Sequence, residues 1–206
     1  MKPFLPIIIV SGASLCKRGA QRWGRILFSN VSLLIALISI ISCAEADTTY
    51  YRGARVNFSY SYTNTIPELN SALGSYGEFC TIRSDGSNFI FTGLKGSTTR
   101  PFTAIETRVH PALGLSGLIV GLPNIPELGA DQPRVMAFDL SCPCYEEFDT
   151  TRNLTLFAGG QASCTRCGRT YDLNNLGIVI KGSSGRNLYR YHASYNQFGN
   201  SLTISN

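Results

Sequence analysis

The chain has 206 residues, of which 44% are hydrophobic and 15% charged, with 20 glycines and 9 prolines; this suits one domain with an apolar core and many turns. Its formal net charge of +5 is unevenly distributed, because residues 1–42 hold five of the 18 basic residues and none of the 13 acidic ones. The remaining chain carries 13 charges of each sign, so it lacks the excess of basic residues that is typical of nucleic-acid binding, and that function is not expected.

Residues 1–42 are typical of an export leader. A basic region precedes a short apolar run, VSLLIALISIIS, at 31–42. A run of this length does not span a bilayer, which takes about 20 residues, and the combination is the pattern of a secretory signal peptide. The stretch before the apolar run is long, which leaves open a translation start downstream of Met1. The basic residues of the leader are Lys2, Lys17, Arg18, Arg22 and Arg25.

The end of the leader has a sharper pattern. Ile40-Ile41-Ser42-Cys43 resembles the bacterial lipobox, which implies cleavage before Cys43 and acylation of that cysteine, for example with palmitate. The protein would then be a lipoprotein of the cell envelope, held at a membrane by its lipid. An ordinary signal peptide followed by an incidental cysteine is the alternative. Residues 43–55, which are polar and rich in small side chains, are predicted to form a tether.

Residues 56–206 are predicted to form one all-β domain, a sandwich or small barrel. Val56, Phe58, Tyr60 and Tyr62 alternate with polar residues, as in a half-buried strand. Many short apolar runs separated by turn residues follow, and residues 66–73 favour the one short helix. Residues 95–116 show little periodicity and are predicted to be a long loop. The further predicted strands are 78–82, 88–93, 117–122, 134–140, 153–158, 169–173, 177–180, 187–195 and 201–205.

Four of the seven cysteines form two close pairs. Cys142-Pro-Cys144 follows a predicted strand, and after 19 residues Cys164-Thr-Arg-Cys167 precedes another. Four thiolates in two such pairs can converge on one zinc ion, and four cysteines also suit an iron–sulfur cluster. Gly168 fits a tight turn with a positive φ angle. The two loops at 141–168 are therefore predicted to hold a metal, whereas Cys80 is predicted to be a small buried apolar residue.

Disulfides are the alternative, since an oxidising compartment favours them. A bond within Cys142-Pro-Cys144 would close a strained ring. Bonds between the pairs, Cys142 with Cys164 and Cys144 with Cys167 for instance, would staple the two loops.

The region from about residue 117 to 206 resembles the Rieske domain. Rieske proteins share the order strand, Cys-x-His, 15 to 20 residues, Cys-x-x-His, aromatic–Asp strand, glycine-containing return and hairpin. The resemblance is strongest to Rieske-like lipoproteins of Bacteroidetes, and it implies a Rieske-like β fold with two metal-binding loops. By position, it implies that Cys142 and Cys164 correspond to the ligands of one iron, and Cys144 and Cys167 to the histidines on the other.

This chain departs from that family because cysteines stand where the histidines would be. His110 and His192 lie elsewhere in the sequence, and Gly182-Ser183 replaces the usual Gly-Pro. A two-histidine Rieske centre is therefore not expected. Iron–sulfur proteins are exported folded, by the twin-arginine route, and Lys17-Arg18 does not match that signal. We therefore expect structural Zn²⁺, with a [2Fe–2S] cluster as the alternative, and Arg166 and Arg169 partly offsetting the charge of the thiolates.

The sequence offers little support for an enzyme. Neither 114–118 nor 182–186 matches the Gly-x-Ser-x-Gly nucleophile motif, and four-cysteine zinc has no open position for a substrate. Glu146 and Glu147, which adjoin the first cysteine pair, are predicted to be solvated. Two functions are therefore expected: a binding or structural module around zinc, or electron transfer through a cluster to an unidentified partner protein of the envelope.

Overall fold

Thirteen strands form two antiparallel sheets in the part of the chain that the computed structural model describes, residues 50–148 and 151–206. The helices are short: α1 (Pro67–Gly74), α2 (Ala104–Val109), α3 (Tyr145–Phe148) and two 3₁₀ turns, Thr63–Thr65 and Leu173–Asn175. The prediction of an all-β domain is confirmed. The strands are β1 (Val56–Ser61), β2 (Glu78–Ser84), β3 (Asn88–Thr92), β4 (Ser97–Pro101), β5 (Ala112–Leu113), β6 (Leu118–Leu122), β7 (Met136–Asp139), β8 (Thr155–Phe157), β9 (Gln161–Ser163), β10 (Thr170–Asp172), β11 (Ile178–Lys181), β12 (Arg190–Asn196) and β13 (Ser201–Ser205).

The larger sheet folds back on itself. Its order is β4-β3-β2-β6-β7-β12-β13-β1-β5, and β1 pairs with β13 from Asn57 opposite Ser205 to Ser61 opposite Ser201. Phe58 on β1 nevertheless meets Phe89 on β3 edge to face, with ring centroids 5.4 Å apart. Strands far apart in the sheet order thus face each other across an aromatic and aliphatic core, as in a sandwich.

Two strands at the centre of this sheet are buried on both faces. In β6, Leu118 and Val120 point into the core of the larger sheet, whereas Ile119 joins a second core. In β7, Ala137 points to the first core and Phe138 to the second. Because both faces are covered, these strands read as unbroken apolar runs rather than as alternating patterns.

The smaller sheet, of order β11-β10-β9-β8, covers the second core. Each of its strands pairs with the next along the chain, so it is a simple meander. Its inner face contributes Ala162, Tyr171 and Val179, and the same core contains the side chains of Cys142, Cys144 and Cys164. The two cysteine loops therefore lie beside this sheet, against the outer face of the larger one.

Most predicted elements are present, with four differences. Helix α3 lies directly after Cys144, where the sequence predicts no helix. The predicted loop 95–116 is wrong, since it contains β4, α2 and β5. Strand β9 was not predicted. Tyr62 does not continue β1, because it has φ 65° and is 72% exposed. The predicted leader, the acylation site at Cys43 and residues 43–49 of the tether lie outside the described residues. Among the described helices, none has the length and apolar character needed to cross a membrane.

Candidate metal centre

The first cysteine loop continues directly from strand β7. Ser141 forms a β-bridge with Asn153, and the amide of Cys142 donates to the carbonyl of Arg152 at 2.8 Å. Helix α3 begins immediately after Cys144, and its first amide, that of Tyr145, donates to the carbonyl of Cys142. Backbone hydrogen bonds on both sides thus hold Cys142 and Cys144 in a tight turn.

The second cysteine loop closes the hairpin between β9 and β10. The amide of Cys164 donates to the carbonyl of Arg169, and the amide of Gly168 donates to the carbonyl of Cys164, both at 3.0 Å. Gly168 has φ 70°, the left-handed conformation that glycine adopts without strain. The turn predicted for Gly168 is therefore present, and it points Cys164 and Cys167 toward the first loop.

The four sulfur atoms converge. All four lie within 4.8 Å of one another. Two contacts of 3.7 Å cross between the loops, one from Cys142 to Cys167 and one from Cys144 to Cys164. Cys167 is partly exposed, whereas the other three are buried. The structure therefore brings together all four cysteines that the spacing singled out, and such a group could bind a metal ion such as zinc or an iron–sulfur cluster.

The cysteines of the described residues are free thiols. The 3.7 Å contacts join Cys142 with Cys167 and Cys144 with Cys164, which is the other way of connecting the two pairs from the example given by the sequence, Cys142 with Cys164 and Cys144 with Cys167. Cys80 lies in β2, and its side chain is fully buried, as predicted for a small apolar residue. Burial raises the pKa of the Cys80 thiol, and the nearby Glu68 raises it further, which keeps this thiol protonated.

The protein environment shifts the pKa values of Cys142, Cys144 and Cys164 in different directions. Burial raises the pKa of Cys142 to about 11, although the hydroxyl of Tyr171, 3.2 Å from its sulfur, acts in the opposite direction. Burial likewise raises the pKa of Cys144. Burial acts to raise the pKa of Cys164 too, but the backbone amides of Cys167 and Arg166 donate to its sulfur and leave the pKa below its ordinary value. A divalent cation would offset the cost of ionising the two raised thiols.

A third loop, residues 182–185, packs against the second cysteine loop. A Cβ atom on Gly182 would lie only 3.0 Å from the carbonyl oxygen of Gly168. The buried guanidinium of Arg169 donates to the carbonyls of Ser183 and Ser184, at 3.2 and 3.1 Å. From the sequence, Arg169 is expected to have only an electrostatic role, so this contact is new. The signal in the sequence is the pair of glycines at 182 and 185, since a side chain at either position would collide with Arg169 or its neighbour Gly168.

Tyrosines support the first cysteine loop from the other side. The hydroxyls of Tyr51 and Tyr145 lie 3.0 Å apart, and the rings of Tyr51 and Tyr189 are in contact, tilted by 32° with centroids 3.9 Å apart. Tyr189 donates to the carboxylate of Glu146 at 2.6 Å, and Arg186 also pairs with it at 3.0 Å. Glu146 is exposed, as predicted for a solvated residue, but it has partners. None of these contacts is visible in the sequence, because the residues are far apart in the chain.

The two histidines lie outside the cysteine group. His110 follows α2 with φ 49°, and His192 lies on β12, where its ring stacks on Tyr50 with centroids 3.7 Å apart. No protein-family model matches the chain, and no curated protein matches its sequence.

Proposed function

We propose that the protein is a metal-binding module in which four cysteines, Cys142, Cys144, Cys164 and Cys167, hold one structural zinc ion that pins the two cysteine loops together. One observation carries this proposal: four sulfur atoms from two separate loops lie within 4.8 Å of one another. All four cysteines are free thiols, so each sulfur can serve as a ligand. Held by a closed four-cysteine set, zinc stabilises the fold and leaves no position for a substrate.

The sulfur spacing supports a single ion over a cluster. Four Zn–S bonds of about 2.3 Å in a tetrahedron place the sulfurs about 3.8 Å apart. The two contacts across the loops measure 3.7 Å. In a two-iron cluster, thiolates on different irons are separated by the irons and their bridging sulfides, roughly 5.5 Å or more. The 4.8 Å limit on every pair is shorter than that separation.

The fold and location are part of the proposal. The order β7, Cys-x-Cys loop, β8–β9 hairpin, Cys-x-x-Cys-Gly loop, β10 and a glycine-containing return supports a Rieske-like domain with a rewired ligand set. The lipobox-like sequence before Cys43 supports acylation there and attachment to a membrane of the cell envelope. In that setting the module would present its β domain to another envelope protein.

A [2Fe–2S] cluster with electron transfer is the second candidate. The contact between Tyr171 and the sulfur of Cys142 favours it, because hydrogen bonds to cysteine sulfur are one of the features that set a cluster's reduction potential. Loading a cluster would require the sulfurs to separate beyond their present spacing.

The metal content of the purified, never-refolded protein decides between these candidates. Colourless protein with one zinc per chain supports the proposal. Visible absorption, with a rhombic paramagnetic signal after reduction, would overturn the zinc proposal in favour of an iron–sulfur cluster. Protein that takes up neither zinc nor a cluster, even with its thiols reduced, overturns both proposals.

A variant of one ligand, Cys164→Ser, tests the site directly. Cys80→Ser is its matched control, since both cysteines are buried but only Cys164 belongs to the four-cysteine group. Only Cys164→Ser should lose the metal.

A further inference from the structure

The four cysteines are not equally accessible to a solute. Cys142, Cys144 and Cys164 are no more than 1% exposed, whereas Cys167 is partly exposed at the end of the second loop. A small oxidant that arrives from solvent therefore meets the sulfur of Cys167 before that of any other member of the group.

The partner of Cys167 in the other loop is already in place. Its sulfur lies 3.7 Å from that of Cys142, and a disulfide bond requires about 2.05 Å. A movement of less than 2 Å thus converts this contact into a bond. The second crossing contact, between Cys144 and Cys164, also measures 3.7 Å. Within the first loop, by contrast, a Cys142–Cys144 bond would close a strained ring.

We propose that a peroxide converts this group from a metal site into disulfides that cross between the loops, Cys142–Cys167 first, and releases the metal. This rests on the proposed metal-binding function. The sulfur of Cys167 attacks one peroxide oxygen, the O–O bond breaks and hydroxide leaves, which gives a sulfenic acid at Cys167. The thiolate of Cys142 then attacks that sulfur, the S–S bond forms, and the S–O bond breaks with loss of a second hydroxide.

The electrons and protons balance. Two thiolates lose two electrons, and one peroxide gains them and ends as two hydroxides, which water protonates. Oxidation of Cys142 and Cys167 would leave a bound metal with only two of its four thiolate ligands, and it would be released as the divalent cation. A second peroxide oxidises Cys144 and Cys164 in the same way. The crossing disulfides then tie together the same two loops that the metal had tied.

Digestion with trypsin identifies which cysteines are joined by a disulfide. Cleavage after Arg134, Arg152, Arg166 and Arg169 places Cys142 and Cys144 on peptide 135–152, Cys164 on peptide 153–166, and Cys167 on peptide 167–169. Fragmentation at Pro143 separates Cys142 from Cys144. Each possible disulfide therefore gives a distinct product, because a cleavage site or a proline lies between the two cysteines of each loop.

The experiment treats zinc-loaded full-length protein with hydrogen peroxide, measures released zinc with a chromogenic chelator, blocks remaining thiols and maps the tryptic peptides. We expect two thiols lost per zinc released in the first phase, with peptide 135–152 linked through Cys142 to peptide 167–169. A linkage of Cys164 to Cys167, a bond within 135–152, or zinc release without a disulfide overturns the inference.

Two variants, Cys144→Ser and Cys167→Ser, each remove one metal ligand, but only the first retains both cysteines of the Cys142–Cys167 pair. Cys144→Ser retains the Cys142–Cys167 pair and should still form that linkage. Cys167→Ser should lose the linkage and react with peroxide at least tenfold more slowly. If the two variants react with peroxide at equal rates, Cys167 is not the first cysteine to be oxidised, which contradicts the inference. If the chain takes up no zinc at all, the proposed function fails; zinc uptake followed by a different linkage leaves that function intact and overturns only this inference. If either variant does not fold, the disulfide map of the peroxide-treated parent protein tests the inference on its own.

Discussion

The hydroxyl of Tyr171 lies 3.2 Å from the sulfur of Cys142, at the inner face of the small sheet where both side chains are buried. This contact joins strand β10 to the first cysteine loop. Burial raises the pKa of the Tyr171 hydroxyl well above its ordinary value, so the group keeps its proton and serves as a donor to sulfur. When Cys142 is a thiolate, as metal binding requires, the Tyr171 hydroxyl is the donor of this hydrogen bond.

Tyr171→Phe should weaken metal binding without unfolding the domain. The ring keeps its place in the core, but the thiolate of Cys142 loses a hydrogen bond, and such outer contacts change metal affinity about 10- to 100-fold. Competition with a chromogenic chelator measures the change. Tyr76→Phe is the control, because Tyr76 is 62% exposed and should leave the affinity unchanged. Equal affinities in all three proteins would show that this contact does not support the site.

Cys164→Ser should lower the free energy of unfolding by several kcal/mol, because the ion loses a ligand and both loops lose their crosslink. Cys80→Ser should cost only about 1–3 kcal/mol, the cost of an unpaired buried hydroxyl. A strong chelator should lower the melting temperature of the parent and of Cys80→Ser but not that of Cys164→Ser. The proposal fails if chelator leaves the parent's melting temperature unchanged.

Gly182→Ala tests the contact between the third loop and the second cysteine loop. Gly182 has φ 97°, and an added Cβ would lie 3.0 Å from the Gly168 carbonyl oxygen and 3.1 Å from the Cα of Arg169. Gly86→Ala is the matched control, since Gly86 has φ 95° and open space around it. Gly86→Ala should cost about 1 kcal/mol of backbone strain. Gly182→Ala should cost more and should speed metal loss, as measured by denaturant unfolding and chelator kinetics; equal effects would contradict the packing argument.

Acid should weaken one ion pair far from the cysteines. The Arg100 guanidinium hydrogen-bonds the carboxylate of Glu106 and lowers its pKa from 4.5 to about 2. Since the folded-state pKa is the lower one, this pair stabilises the fold above about pH 4.5, and the stabilisation is lost as the pH falls toward 2.

Arg100→Gln should therefore be less stable than the parent at pH 7, and the difference should shrink by pH 3. Urea unfolding of both proteins at the two pH values measures it, and metal loss in acid affects both alike. A difference that stays constant between the two pH values would exclude this ion pair as its source.

Tyr191→Phe should destabilise the base of the first cysteine loop. Its hydroxyl donates to the buried carboxylate of Asp139 at 2.6 Å, and the amides of Leu115 and Ser141 donate to the same carboxylate at 2.7 Å. Burial raises the pKa of Asp139, so the loss of one donor is costly, about 1.5–3 kcal/mol. Tyr195→Phe, on the same strand, is the control for unfolding in urea. Equal stability of the two variants would argue against a role for this bond.

Prediction from sequence succeeded where local pattern decides the structure. Cys142, Cys144, Cys164 and Cys167 were singled out by spacing alone, because two short cysteine turns beside strands have few other uses. The alternation in 56–61 and the apolar runs of β6 and β7 were equally informative. In β1 the apolar residues are the buried ones, and in β6 and β7 an unbroken apolar run corresponds to burial on both faces.

Prediction failed where the signal lies in distant contacts. Strand β4 consists of polar, largely exposed residues at the edge of the sheet, so its sequence carries no apolar alternation. Helix α2 has no buried residue, so it lacks an apolar pattern, and its one local signal is the capping box between Thr103 and Glu106 at its start. The contact of Arg169 with Ser183 and Ser184 joins two separate loops, and the glycines at 182 and 185 indicate a close approach there without identifying Arg169 as the partner.

The pairing of β1 with β13 has a consequence for the order in which the chain assembles. Asn57 pairs with Ser205, so β1 has no partner on that side until nearly 150 further residues have been synthesised. The meander β8–β11 needs only neighbouring segments and can form much earlier. We expect the second cysteine loop to take shape first, while the larger sheet closes last. Until it closes, the chain exposes an unpaired, aromatic-rich strand, which is the period of its greatest risk of aggregation.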